Sequence, residues 1–417
     1  MIFRLLVLLL LLPAAPAAAY AVLTHQANID STWARCLVPA LQRRYPGATP
    51  QELLDAKAYA YGGAIIQDMG YYPFGNVLFT NLTHYVRSGD FVRNLIGQAR
   101  DRNDYAFALG ALAHYAADIS GHAEGTNLAM ASVYPELAAK FGPVITYEQA
   151  PKQHTQLEFA FDVVQLASGQ YHTQDYHQRI GFRVSKPVLE RAFQQTYGLA
   201  LGQVIANVDL SIASFRFAVS QLVPTAARAA WHYKRQDILK LSPGARRRDY
   251  LKRVSQRAFR REYGNEYQRP GFGARIISCF IRVLPKLGPL KAFAFRLPTP
   301  AAQALFRASF RTVMTRYCAA VARQPADTAA APLALANADF DTGHPTRAGE
   351  YPLADETYGE WLRKLAGKKF EKLSPPARRN ILAFYDGPAK APASEKEQSD
   401  DKQRATREAL AQLRALK

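Results

Sequence analysis

The chain has 417 residues, 48% of them hydrophobic, and carries 53 Lys and Arg against 34 Asp and Glu, a net charge of +19. That size and apolar content suit one large domain and a smaller one around a substantial core, and exclude a wholly disordered chain. The three cysteines, Cys36, Cys279 and Cys318, are too few and too scattered for a Cys-built metal site. In an oxidising compartment they allow one disulfide, expected between Cys279 and Cys318, with Cys36 left buried and inert.

The N-terminus has the make-up of a secretory leader: Arg4, an apolar run from Leu5 to Leu12, then Ala17-Ala18-Ala19. Cleavage is predicted before Tyr20, so residues 1–19 are read as a signal peptide. The run is shorter than the ~20 residues that span a bilayer. The mature protein is therefore expected to be secreted, or exported to a bacterial periplasm.

Residues 20–225 carry apolar side chains at helical spacing. Glu52 to Ala60, Phe91 to Ile96, Phe107 to Ile119, His154 to Leu166 and Gly202 to Leu222 all read as helices. Glycine- and proline-rich loops separate them, at Gly70 to Gly75 and Phe141 to Pro143. No strand alternation of useful length occurs, and the expected class is all-α.

Residues 226–323 form a basic region. Between 226 and 320, 21 Lys and Arg face four acids, and Ile276 to Leu287 sets basic residues among apolar ones. This pattern suits an interfacial helix on an anionic membrane. It suits binding to nucleic acid or a solvated basic face over a packed helix equally. Residues 324–386 read as a linker or long loop rich in Ala, Pro, Asp and Thr, up to about 352, followed by two short helices, around Trp361 and Arg378. Residues 387–417 read as a charged tail, disordered or a lone helix.

The chemistry concentrates on His114-Tyr-Ala-Ala-Asp118-Ile-Ser-Gly-His122. Residues four apart lie on nearly the same face of a helix, and the apolar stretch before His114 places that helix in the core. Buried His and Asp need partners; a metal and a hydrogen-bonded core both satisfy the pattern. His25, Asp68, His84, and the i, i+4 pair His154 and Glu158 add further metal-ligand types. Imidazole with carboxylate is a donor set for zinc rather than for calcium or magnesium. The aromatic run Tyr71-Tyr72-Pro73-Phe74 follows Asp68 closely. It is placed to wall a cleft, to meet a choline-like head group or base, or simply to pack.

This succession resembles the zinc-dependent phospholipase C family and the single-strand nucleases structurally related to it. The resemblance covers residues 20–160 closely and implies an all-α fold with three zinc ions in a cleft. Carried across, it implies one zinc on Asp68, His84, His114 and Asp118. It implies a second on His122, His154 and Glu158. A third would take the amino and carbonyl groups of Tyr20, with His25 and a bridging Asp118. Two positions depart from the family: Tyr20 stands where Trp is usual, and His122 follows Asp118 by four residues rather than six, which leaves Glu124 as a competitor for His122.

The implied reaction is hydrolysis of a phosphodiester by metal-activated water, with Asp68 orienting that water or acting as its base. The implied substrate is a phospholipid at an anionic membrane surface. Two other functions fit the same residues. One is a nuclease or 3′-nucleotidase, which the spacing from Tyr20 to His25 matches better. The other is a non-catalytic, metal-binding, membrane-associating protein.

Overall fold

The computed structural model describes residues 22–167, 182–219, 235–236, 239–240, 295–327, 329–387 and 400–416. The leader, Tyr20, Cys279 and most of the basic stretch 226–294 lie outside the described residues, as do His172, His177 and His232.

Every regular element among the described residues is helical; the one piece of β pairing is an isolated bridge between Ala338 and Pro345. The first half runs α1 (Val22–Thr32), a π-helical turn (Trp33–Leu37), α2 (Val38–Arg44), α3 (Pro50–Gly63), a 3-10 turn (Ile66–Tyr71), α4 (Val77–Tyr85), α5 (Ser88–Gly97) and α6 (Arg102–Gly121). A second π-helical turn (His122–Thr126) leads into α7 (Asn127–Val133), α8 (Pro135–Phe141), α9 (Pro151–Ala167), α10 (Lys186–Tyr197) and α11 (Val208–Phe217). At the end of the basic region comes α12 (Pro300–Ala322), followed by α13 (Pro352–Ala366), α14 (Pro375–Asp386) and α15 (Asp400–Ala415). None of these helices is long and apolar enough to cross a membrane.

Local chemistry sets the starts. Thr49 and Glu52 form a reciprocal capping box with Pro50 at the first helical position of α3. Asn76 caps α4, Asp101 caps α6, Asn207 caps α11 and Thr299 caps α12, each accepting a backbone N–H in the first turn.

α6 is buried along almost its whole length, and α3 crosses it at backbone contact. A Cβ on Gly63 would lie 1.9 Å from the Phe107 carbonyl oxygen, and one on Gly110 would lie 2.1 Å from that of Ala60. Only glycine allows that approach. The crossing brings the end of α3, and the 3-10 turn after it, against the middle of α6.

One contiguous apolar core runs from Leu23 through Phe107 and Phe193 to Tyr317, Trp361, Phe384 and Leu413. The C-terminal elements therefore share the core of the first half. The stretch read as a linker or long loop is a loop that packs down: Phe340 is wholly buried, and Ser88 Oγ donates to the Ala338 carbonyl at 2.6 Å. One expectation is corrected here. The tail is neither disordered over 400–415 nor alone, because Ala409 and Leu413 of α15 are buried against α13. The disulfide expectation is also corrected. Cys318 on α12 is bonded to Cys36 in the first π-helical turn, with Cα atoms 5.5 Å apart. Folding brings these residues together across 282 positions, which spacing along the chain cannot reveal.

Candidate metal centre

Six elements bring the polar side chains together. His25 comes from α1, Asp68 from the 3-10 turn and His84 from the last turn of α4. His114 and Asp118 come from α6, with His122 opening the π-helical turn that follows. His154 and Glu158 come from α9. All eight are buried, Asp68 the least so at 5% exposed.

Asp118 is at the middle of one group. Its Oδ1 lies 3.5 Å from His25 Nε2, and its Oδ2 lies 3.1 Å from His114 Nε2 and 3.5 Å from His84 Nε2. Asp68 Oδ1 lies 3.4 Å from His84 Nε2. Two trios, His25–His114–Asp118 and Asp68–His84–His114, each place three ligand atoms within 4.8 Å of one another. His114 belongs to both, and its ring stacks on that of His25 with centroids 4.3 Å apart.

A second group forms around Glu158. Its Oε1 lies 2.8 Å from His154 Nδ1 and 3.4 Å from His122 Nε2. Glu124, the competitor for His122, points away to the surface and pairs with Arg316 on α12. With that geometry, His122 faces the ligand group and Glu124 does not.

The far nitrogens of these rings explain the convergence. His84 Nδ1–H donates to the Thr80 carbonyl and His114 Nδ1–H to the Ala64 carbonyl, both at 2.9 Å. His154 Nε2–H donates to Asn127 Oδ1 at 2.8 Å, and His122 Nδ1–H to Asp341 Oδ1 at 3.1 Å. Each ring is thus held by one nitrogen on a fixed acceptor and turns the other inward, as metal-bound imidazoles do.

The inward atoms fit a metal. Both oxygens of Asp118, Asp68 Oδ1, Glu158 Oε1 and His154 Nδ1 are buried and make no well-formed hydrogen bond. Buried polar atoms are otherwise nearly always paired. Nitrogen and carboxylate donors at this density are a zinc set.

Electrostatics agrees. Burial and the neighbouring His114 hold the His25 imidazole well below its usual pKa, in the neutral form a metal needs. Burial pulls His84 down too, but the carboxylates of Asp118 and Asp68 outweigh it and lift the ring to about 9. Burial raises Asp118, and the surrounding histidines more than reverse this, holding it well below the ordinary carboxyl range.

α9 also fixes α1. Asp162, one turn beyond Glu158, accepts from the Leu23 N–H at 3.0 Å and the Thr24 hydroxyl at 2.6 Å. The same helix thereby carries His154 and Glu158 and seats the start of α1, next to His25.

The aromatic run divides. Tyr71 packs with Tyr147 and Leu353, and Tyr147 meets His154 edge-on with ring centroids 5.9 Å apart. Tyr72 packs on Phe215, while Phe74 is 52% exposed.

Sequence reasoning missed the loop from 332 to 351. Phe340 lies against His84 and His114, with centroids 4.8 and 6.0 Å away, and its N–H donates to the His84 carbonyl. Asp341 reaches His122. The only local sign was Asp339-Phe-Asp341, an aromatic between two acids inside an otherwise small and polar stretch.

Residues 24–207 match the family model described as zinc dependent phospholipase C. No curated protein matches the chain, and no solved structure does. The match spans every candidate side-chain ligand from His25 to Glu158 and stops well short of Asp341.

Proposed function

We propose that the chain, whose residues 24–207 match the model of the zinc-dependent phospholipase C family, hydrolyses phospholipids on the diacylglycerol side of the phosphate. The observation that carries this reading is the convergence of buried imidazoles and carboxylates whose inward atoms are left for a cation.

Three zinc positions are proposed: Asp68, His84, His114 and Asp118 at one, and His122, His154 and Glu158 at another. The third takes His25, the Tyr20 amino and carbonyl groups and a shared Asp118. Zinc there would supply the Lewis acidity that makes water nucleophilic at neutral pH and offsets charge on the phosphate. Asp68 orients the attacking water and takes its proton. Burial raises its carboxyl pKa, which makes it a stronger base than a solvated Asp. Asp118 sits between the histidines and holds the trios in register. Phe340 and Tyr147 keep bulk water from the rings they cover, which strengthens each electrostatic contact beneath.

The substrate is placed at an anionic membrane surface, to which the basic region from 226 is drawn. The leader read before Tyr20 places the protein outside the cytoplasm. The short step from Tyr20 to His25 favours a second reading, a single-strand nuclease or 3′-nucleotidase with the same metals.

Zinc-loaded mature protein should release phosphocholine from phosphatidylcholine vesicles and leave single-stranded DNA intact. Asp68→Asn should abolish turnover and keep its zinc. DNA cleavage without lipid hydrolysis establishes the nuclease instead. Inactivity of wild type and variant alike on both substrates leaves a non-catalytic metal-binding protein. Fewer than two zinc ions per wild-type chain refutes the metal reading.

A further inference from the structure

We propose that Asp341, from the loop beyond the family match, is a positioning residue that aims both histidines of the Glu158 group at their metal. The inference rests on the metal reading above. Its carboxylate acts on one ring directly: Oδ1 accepts from His122 Nδ1–H at 3.1 Å. That leaves Nε2 of the same ring directed at Glu158 Oε1, 3.4 Å away.

Its main chain acts on the other ring through one intermediary. The Asn127 amide donates to the Asp341 carbonyl oxygen at 2.6 Å. The same amide's Oδ1 accepts from His154 Nε2–H at 2.8 Å. Because the amide donates on one side, its oxygen must face the ring, and His154 must carry its proton on Nε2. Nδ1 is then the nitrogen presented to Glu158 at 2.8 Å.

Asp341 is itself held. Tyr85 donates to Oδ2 at 3.0 Å and Tyr351 donates to the same oxygen. The Asp341 N–H donates to Asp339 Oδ1 at 2.7 Å. With Oδ2 held by two tyrosines and the N–H bonded to Asp339, Asp341 is seated independently of the rings, and its Oδ1 is left to set His122. Partners of this kind are worth about 10–100-fold in metal affinity.

The test is zinc competition with a chromophoric chelator on the full chain, alongside circular dichroism. Wild type should bind at least two zinc ions per chain; if it binds fewer, the metal reading fails before Asp341 is questioned. Asp341→Ala should weaken one class of zinc by about 10–100-fold and leave the rest at wild-type affinity with an unchanged helical spectrum. Asp341→Asn keeps an acceptor oxygen for His122 and should recover much of that loss. If the alanine variant fails to fold, Asp341→Leu, similar in shape but without an acceptor oxygen, takes its place. Wild-type affinity for every zinc in a folded Asp341→Ala or Asp341→Leu overturns the proposal. Equal weakening of all classes in a folded variant overturns it too.

Discussion

The bond between Cys36 and Cys318 carries a stability expectation that follows from where its ends lie. It ties α12 to the start of the helical domain across 282 positions. In the chain-entropy account such a loop removes about 19 cal/mol/K from the unfolded state, or about 5–6 kcal/mol at 25 °C, while measured losses cluster at about 2–5 kcal/mol. α12 has other contacts: Tyr317 donates to the Leu109 carbonyl at 2.9 Å and Phe306 stacks on Phe161. The double variant Cys36→Ser, Cys318→Ser should therefore fold, with α12 docked, but unfold at lower denaturant. Guanidinium titration followed by circular dichroism at fixed zinc reads the difference. The denaturant dependence should steepen as well, because the unlinked chain expands further when unfolded. One free thiol, Cys279, should remain in the oxidised wild type. A variant midpoint equal to wild type, or peptide mapping that joins Cys279 to Cys318, would refute the reasoning.

Zinc binding should release protons. His84, lifted to about 9, is protonated at pH 7 without metal, so affinity should rise with pH up to about that value. Calorimetry in buffers of different ionisation enthalpy measures the release, and binding that is independent of buffer and pH would count against it. Asp162→Asn should flatten one part of the stability profile. Burial holds this acid at about 7 against an ordinary 3.8, so the fold favours its protonated form and loses stability as pH rises between those values. The shift amounts to about 4 kcal/mol; a variant whose stability falls as steeply as wild type from pH 4 to 7 would contradict the assignment. Gly343→Ala should unseat the loop. Its φ is +71° and a Cβ would stand 2.3 Å from the Ile119 carbonyl oxygen. The backbone conformation alone costs about 1–3 kcal/mol, and an unchanged thermal midpoint would show that the loop is not seated as described.

The ligand helix was legible because helical spacing is local. His114, Asp118 and His122 fall on one face whatever surrounds them, and His154 and Glu158 repeat the pattern on α9. The all-α class followed from the same periodicity. The turn at Asp68 was legible through its resemblance to a known family rather than through its own pattern, since a 3-10 turn leaves no apolar repeat. Asp341 was hidden because its partners are long-range: His122, Asn127, Tyr85 and Tyr351 give no sign in the residues beside it. Cys318 was misassigned for the same reason. The tail was misread because the buried positions of α15, Ala409 and Leu413, are sparse among charged neighbours, and composition outweighed their spacing.

The loop from 332 to 351 also fixes an order of assembly. A chain growing from its N-terminus holds all eight ligand side chains once Glu158 has emerged, and α1, α4, α6 and α9 can already meet. Neither Cys318 nor Asp341 exists then. At about 5–20 residues per second, an interval of roughly ten seconds or more separates Glu158 from Asp341. Throughout that interval the proposed positioning partner of His122 is missing. The residues synthesised late therefore finish a site that the earliest ones began, and a chain truncated before Asp341 carries every ligand without the means to aim them all.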